Sequence, residues 1–228
     1  MFWFFLGAAV VGAAVFLRLR FAAFPSQKPS DYASDKGNMM LSDYLNGAMV
    51  CRGVLYGPMG KVVSRFIADM DITWDGRHGR MNELFTYDSG NTQSRVWELE
   101  MLGGGKIRAT ASDFVGEATG TISGTTLCMK YKFKLPDDAG GHVLNVTDWM
   151  YVLDDGTFVN RSQFRKFGIK VAELVATFAA KGGWDAGLRR QTVLAGRRLG
   201  RAWSIFGKKA WRCGCRADPI GPQRRALG

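Results

Sequence analysis

At 228 residues the chain is long enough for one domain of ordinary size with extensions. Its formal charge of +11 would suit a nucleic-acid partner only if it were spread over the folded surface, but the stretch from Trp184 onward carries 11 Lys+Arg and 2 Asp+Glu, leaving only +2 for residues 1–183. A nucleic-acid-binding body is thereby excluded, since no basic, aromatic-interleaved face is left to contact phosphates.

Phe2 to Leu17 reads FWFFLGAAVVGAAVFL without a polar interruption, and Leu19 and Phe21 to Phe24 extend it past Arg18 and Arg20. A membrane span needs about 20 apolar residues, with tolerance down to about 17, and flanking arginines can snorkel to the headgroups. No positive segment precedes the run, and no small-residue cleavage site or lipobox cysteine follows it. Residues 1–24 are therefore expected to form an uncleaved single-pass transmembrane anchor and membrane contact. The arginines after the run would by themselves put the body in the cytoplasm. Residues 25–40, PSQKPSDYASDKGNMM, have the prolines and small polar residues of a linker.

From Val50 onward the dominant period is two. In Thr126 to Leu135 the set Leu127, Met129, Tyr131, Phe133 and Leu135 alternates with Cys128, Lys130, Lys132 and Lys134, so one face is buried and the other wet. Comparable runs cover Val62–Ile72, Arg80–Tyr87, Arg95–Met101, Lys106–Phe114, His142–Val152, Thr157–Phe164 and Ile169–Phe178. Between them lie short glycine-rich turns such as GPMG (57–60), DSGN (88–91), GGG (103–105) and DDG (154–156). Connections this short join antiparallel neighbours, because parallel strands need long crossovers. The expected fold class is therefore mainly β: an up-and-down antiparallel β-barrel of about 8–10 strands over residues 41–180, closed so that no edge is exposed. A barrel of that size encloses room for one small ligand, which makes binding the default function.

No GxSxG turn and no Cys–His pair suggests a nucleophile, and the four cysteines form no metal-ligand spacing, so neither a catalytic residue nor a metal or cofactor is expected. Cys51 and Cys128 sit in apolar stretches and read as buried thiols, with a disulfide as the alternative. His142 is the one candidate for a haem ligand on an inner wall, and a solvent-facing role suits it and His78 better.

Five ordered segments, GPMGKVVSRFIADM (57–70), DSGNTQSRVWELE (88–100), DFVGEATG (113–120), VTDWMY (146–151) and NRSQFRKFGIKV (160–171), resemble the bacterial domain of unknown function 3833 family across roughly Lys28 to Phe178. The resemblance implies a lipocalin-like envelope protein, often lipid-anchored, with no stated activity. It favours a periplasmic barrel on the inner membrane, against the placement that Arg18 and Arg20 suggest. The polar and aromatic residues inside those motifs, Arg95, Trp97, Asp113, Asp148, Trp149, Asn160 and Arg161, are the candidate ligand-binding residues, because a polar group aimed into an apolar barrel is costly unless paired or used. The structural alternative pairs Arg161 with Asp148, or Arg95 with Glu83, in ion pairs that close one barrel end. The expected function is a membrane-tethered protein holding a lipid-like or other apolar small molecule, with a filled, structural barrel as the alternative. A third reading, an enzyme acting on acyl chains, rests only on the buried carboxylates Asp113 and Asp148. Residues 181–228 form a basic tail with weak helical periodicity, suited to an anionic leaflet or else the product of a shifted reading frame.

Overall fold

The computed structural model describes residues 1–182 apart from Lys36 and Asn38. The basic tail, with its expected helix, lies outside the described residues. Ten strands form the body: β1 (Gly47–Tyr56), β2 (Val62–Asp75), β3 (His78–Tyr87), β4 (Thr92–Gly103), β5 (Lys106–Ala111), β6 (Ala118–Ser123), β7 (Thr126–Lys134), β8 (Val143–Val152), β9 (Phe158–Lys166) and β10 (Ile169–Ala180). Each pairs antiparallel with its sequence neighbour, and β1 pairs with β10 from Met49↔Ala180 to Tyr56↔Glu173, so the barrel closes. The mainly β, ten-stranded closed barrel is thus the architecture expected from the alternation.

β6, with the sequence ATGTIS, is a strand that apolar periodicity does not mark, because two of its inward residues, Ala118 and Gly120, are small. Gly120 has a physical reason to be small: a Cβ there would collide with the Met129 sulfur and come within 3.1 Å of Ile107. β5 and β6 are short, and the segment between them folds back so that Phe114 bridges Phe133 of β7.

Since neighbouring strands alternate in direction, the β1–β2, β3–β4, β5–β6, β7–β8 and β9–β10 connections share one end of the barrel, and the other connections share the opposite end. That opposite end is plugged. The single helical turn α2 (Leu41–Tyr44) runs straight into β1, with Met39, Leu41 and Leu45 buried in the core. The Trp74 indole donates to the Leu45 carbonyl at 2.7 Å, and Tyr44 meets Phe158 edge-on.

The stretch 25–40, read as a linker, is packed structure. Its 3-10 turns Phe24–Ser26 and Pro29–Tyr32 lie along the outer face of β7 and β8, where Phe24 covers Cys128 and Trp149. Gln27 Oε1 accepts hydrogen bonds from Tyr32 at 2.6 Å and Tyr151 at 2.9 Å. Pro29 and Pro25 suit these tight turns at their first positions.

Ahead of this strap runs the helix α1 (Phe2–Phe21), whose described side chains are exposed. Among the described residues no helix is long and apolar enough to cross a membrane, so nothing there supports the transmembrane span expected over residues 1–24. The uninterrupted run Phe2–Leu17 reaches about 24 Å at about 1.5 Å per residue, against a hydrocarbon core of about 30 Å, and Arg18 and Arg20 occupy the last turn of α1.

Trp74→Phe keeps the ring but leaves the buried Leu45 carbonyl without its donor, and should lower the unfolding free energy by about 1–3 kcal/mol. The check is a shifted urea midpoint at unchanged slope.

Candidate functional site

Alternation along each strand decides what reaches the interior. One residue in two points inward: Cys51 and Leu55 on β1, Phe66 and Met70 on β2, Met81, Glu83, Phe85 and Tyr87 on β3, and the matching positions around the barrel. They surround a cavity of about 300 Å³. Its floor, above the α2 plug, is apolar, with Met70, Leu99, Ile107, Leu127, Met129 and Phe178. Its other end is reached past Leu55, Tyr87, Phe133, Leu135 and Pro136.

Between floor and mouth runs a belt of polar groups. Arg95 on β4 donates through Nε to Asp113 Oδ2 at 2.8 Å, while its Nη1 lies 4.0 Å from Glu83 Oε2. Its guanidinium also sits over the rings of Phe85 and Phe133, at 5.4 and 5.2 Å from their centroids. Burial works against its charge, yet Glu83 and Asp113 outweigh that and hold Arg95 more firmly protonated than usual. Glu83 in turn accepts from the Trp97 indole at 2.8 Å. Burial pushes the Glu83 carboxyl up despite Arg95 and that donor.

The second half of the belt is on β8 and β9. Asp148 and Ser162 are directly opposite in the ladder, and Asn160 is diagonal to them on the same face. Ser162 donates to Asp148 Oδ1 at 2.5 Å, and Asn160 donates to the same oxygen and to the Trp149 carbonyl. Burial raises the Asp148 carboxyl above its ordinary range, against the pull of Ser162, Asn160, Tyr131 and Arg95. Tyr131, fully inside, is held well above the usual phenol value by the same desolvation. Its ring stacks on Phe114 at 4.4 Å, and Trp97 meets both edge-on.

Of the seven residues singled out from the sequence, Arg95, Trp97, Asp148 and Asn160 line the cavity. Asp113 stands in the β5–β6 connection as the anchor of Arg95, and its Oδ1 is buried without a hydrogen-bond partner among the described residues. Trp149 and Arg161 face the other way, and the structure corrects both. Trp149 packs outside under Phe24 and Tyr32, while Arg161 pairs with Glu173 at 2.6 Å and lies over the Phe24 ring. The reason is period two itself: Trp149 follows Asp148 and Arg161 follows Asn160, so neither can share its neighbour's face. The expected Arg161–Asp148 pair is therefore replaced by Arg161–Glu173, whereas Arg95 and Glu83 do approach each other.

Ser162 and Gln93 belong to the cavity and were not singled out. Ser162 was legible, two residues beyond Asn160 on one strand; Gln93 carried no signal beyond parity with Arg95. His142 is exposed at the start of β8, so it offers no ligand on the inner wall. Cys51 and Cys128 are free and buried on opposite faces of the wall, and burial pushes their thiols up to about 12 and about 11.

Because the folded-state pKa of Asp148 is raised, its contribution to stability is full below the unfolded value near 4 and is lost as pH rises through the folded value. Asp148→Asn keeps an acceptor for Ser162 and Asn160 without the ionisation. Its stability relative to the parent should therefore rise from about pH 4 upward, as measured by urea midpoints across a pH series.

A search of curated proteins finds no match to this sequence. Among solved structures, the S-type phycobiliprotein lyase CPES from Guillardia theta matches at 11% identity with a TM-score of 0.46, over 68% of this chain and 98% of that one. The family described as "Protein of unknown function (DUF3833)" matches residues 18–180, and the chain belongs to that family.

Proposed function

We propose that the barrel is a carrier or receptor for one small, largely apolar molecule of single-chain, lipid-like kind, bearing one uncharged hydrogen-bonding group. The carrying observation is the cavity itself, about 300 Å³ lined by apolar side chains except for one polar belt at mid-depth. That volume is at the lower end of the ~300–1,000 Å³ range of small-molecule sites, which suits a single chain better than a two-chained lipid. An uncharged group suits the belt because Arg95 is already paired with Asp113 and approached by Glu83, which leaves that cation little to offer an acidic headgroup. Asn160, Ser162 and Tyr131 then supply donors and acceptors in a dry site. The third reading, acyl-chain catalysis, loses its motive with Asp113 locked on Arg95 and Asp148 held by Ser162 and Asn160.

The same proposal gives α1 the task of holding the barrel at a bilayer. Phe2, Trp3, Phe4, Val10, Val11 and Phe16 are each more than 60% exposed, a cost in water that acyl chains would remove. Its short apolar run is accommodated if the bilayer thins locally and Arg18 and Arg20 snorkel.

Native mass spectrometry of the detergent-purified full chain should show a co-purifying mass of single-chain size. A long-chain monoacylglycerol should raise the melting temperature more than the matching fatty acid, since the acid must bring a further carboxylate into a belt whose Arg95 is already paired. Equal or no shifts with both would overturn the reading. Ala172→Phe, which places a ring among the lining residues at the mouth, should abolish the shift at a folding cost of about 1–3 kcal/mol.

Arg161→Leu serves as the contrasting case. Arg161 is half exposed, and Glu173 keeps Lys170 at 2.7 Å as a second partner. The substitution should cost about 1 kcal/mol or less and leave the lipid-induced rise in melting temperature intact.

A further inference from the structure

Four of the five connections at the open end carry, in the turn or at its edge, apolar side chains that the barrel leaves exposed. Phe167 is 90% exposed, Met59 86%, Ile169 70% and Val63 61%. They sit together, because β1 pairs with β10 and the β1–β2 and β9–β10 connections are therefore neighbours on the rim. Val115 and Val143, each nearly half exposed, continue the apolar character through the β5–β6 and β7–β8 connections.

Phe167 is the most telling of them. Lys166 pairs with Ile169, so Phe167-Gly168 is a two-residue hairpin turn, with φ of 51° and 80°. Turns with both central residues in the left-handed region favour Asn-Gly, and a bulky residue at the first position is strained. Phe167 thus combines backbone strain with full exposure of an aromatic ring, and neither turn geometry nor barrel packing accounts for it.

The charges point the same way. Lys61 and Lys166 make no ion pair among the described residues, and the Lys166 ammonium lies 5.6 Å from the Phe167 ring centroid. The rim's Asp88, Glu117 and Asp137 are each paired, with Arg65, Arg108 and Lys134. The plugged end exposes Asp75, Asp154 and Asp155 at its turns, with Arg77 as the one cation in the β2–β3 turn. Exposed aromatic and aliphatic tips flanked by Lys61 and Lys166, with the rim's described carboxylates paired, fit the headgroup region of an anionic bilayer, where each basic residue gains from the surface potential and aromatic rings settle at the interface.

We propose that the open rim docks on an anionic lipid bilayer through Met59, Phe167 and Ile169, with Lys61 and Lys166 at headgroup level, so that the cavity mouth faces the membrane. The docking rests on the rim residues and not on the cavity: a barrel that never takes up a ligand would still dock, so failure of one reading is distinguishable from failure of the other.

The test is hydrogen exchange by mass spectrometry on the full chain bound to phosphatidylglycerol vesicles, to phosphatidylcholine vesicles and in detergent. α1 would hold the protein on either vesicle, so bulk binding is not the readout. The amides of 57–63 and 166–170 should exchange several-fold more slowly on phosphatidylglycerol than in the other two, with the effect reduced by salt, while those of 76–77 and 154–156 stay unchanged. A Met59→Ser, Phe167→Ser, Ile169→Ser variant alters only exposed side chains. It should lose the slowing at the rim while keeping the parent's exchange elsewhere. Equal rim exchange in all three media, equal protection at both ends, or slowing that survives the triple substitution would each overturn the proposal. So would rim protection that grows with protein concentration without lipid, which would assign the surface to a second copy.

Discussion

Everything inside this protein depends on the ladder between β1 and β10, which brings Met49 opposite Ala180 and Tyr56 opposite Glu173 across most of the body. Without it, ten strands would form a curled open sheet with two unpaired edges and no enclosed space. With it, each strand has two partners, every second side chain is taken from water, and the two ends of the barrel become different places. One end is sealed by Leu41 and Leu45 under Trp74, and the other stays open between short connections. The register matters as much as the closure, since a slip of one residue would exchange Asp148 for Trp149 in the interior.

The polar belt is the second constraint. A guanidinium, three carboxyls, a phenol and an amide are gathered inside an apolar wall, where an unpaired charge would cost far more than the belt gains. The groups resolve this in two ways. Arg95 keeps its proton with Asp113 and Glu83 close to it, while burial raises the Glu83 and Asp148 carboxyls against the pull of their donors. The result is a ring of mutually engaged donors and acceptors, suited to orienting one polar group on an otherwise apolar guest.

The outer face of β8 to β10 carries an independent network. Burial alone would raise the Glu173 carboxyl, but hydrogen bonds from Lys170 and Arg161 hold it below the usual value. Arg161 also covers Phe24, and Tyr32, Gln27 and Tyr151 complete the attachment of the strap. The segment that follows α1 is thereby fixed along the barrel wall, and the same chain goes on to supply the plug. The N-terminal region is thus part of the body's architecture, in keeping with a family match that begins at residue 18.

By itself the sequence determined the strand class, the antiparallel meander and most of the strand positions, because period-two alternation and short glycine turns are local properties. β6 escaped that reading, since a strand whose inward side chain is Gly120 makes room for Met129 instead of showing an apolar residue of its own. The sequence also marked Arg95, Trp97, Asp148 and Asn160, all polar or amphipathic residues lodged in apolar runs. It could have excluded Trp149 and Arg161, each adjacent to a residue assigned to the same face. Only the tertiary structure decided which of the two faces is the interior, that Asp113 reaches Arg95 from a loop, and that residues 24–32 and 39–45 strap and plug the barrel. Those choices depend on contacts between residues far apart in the chain, such as Asp113 with Arg95, Tyr32 with Tyr151 and Leu45 with Trp74, and no local pattern encodes a partner at that distance.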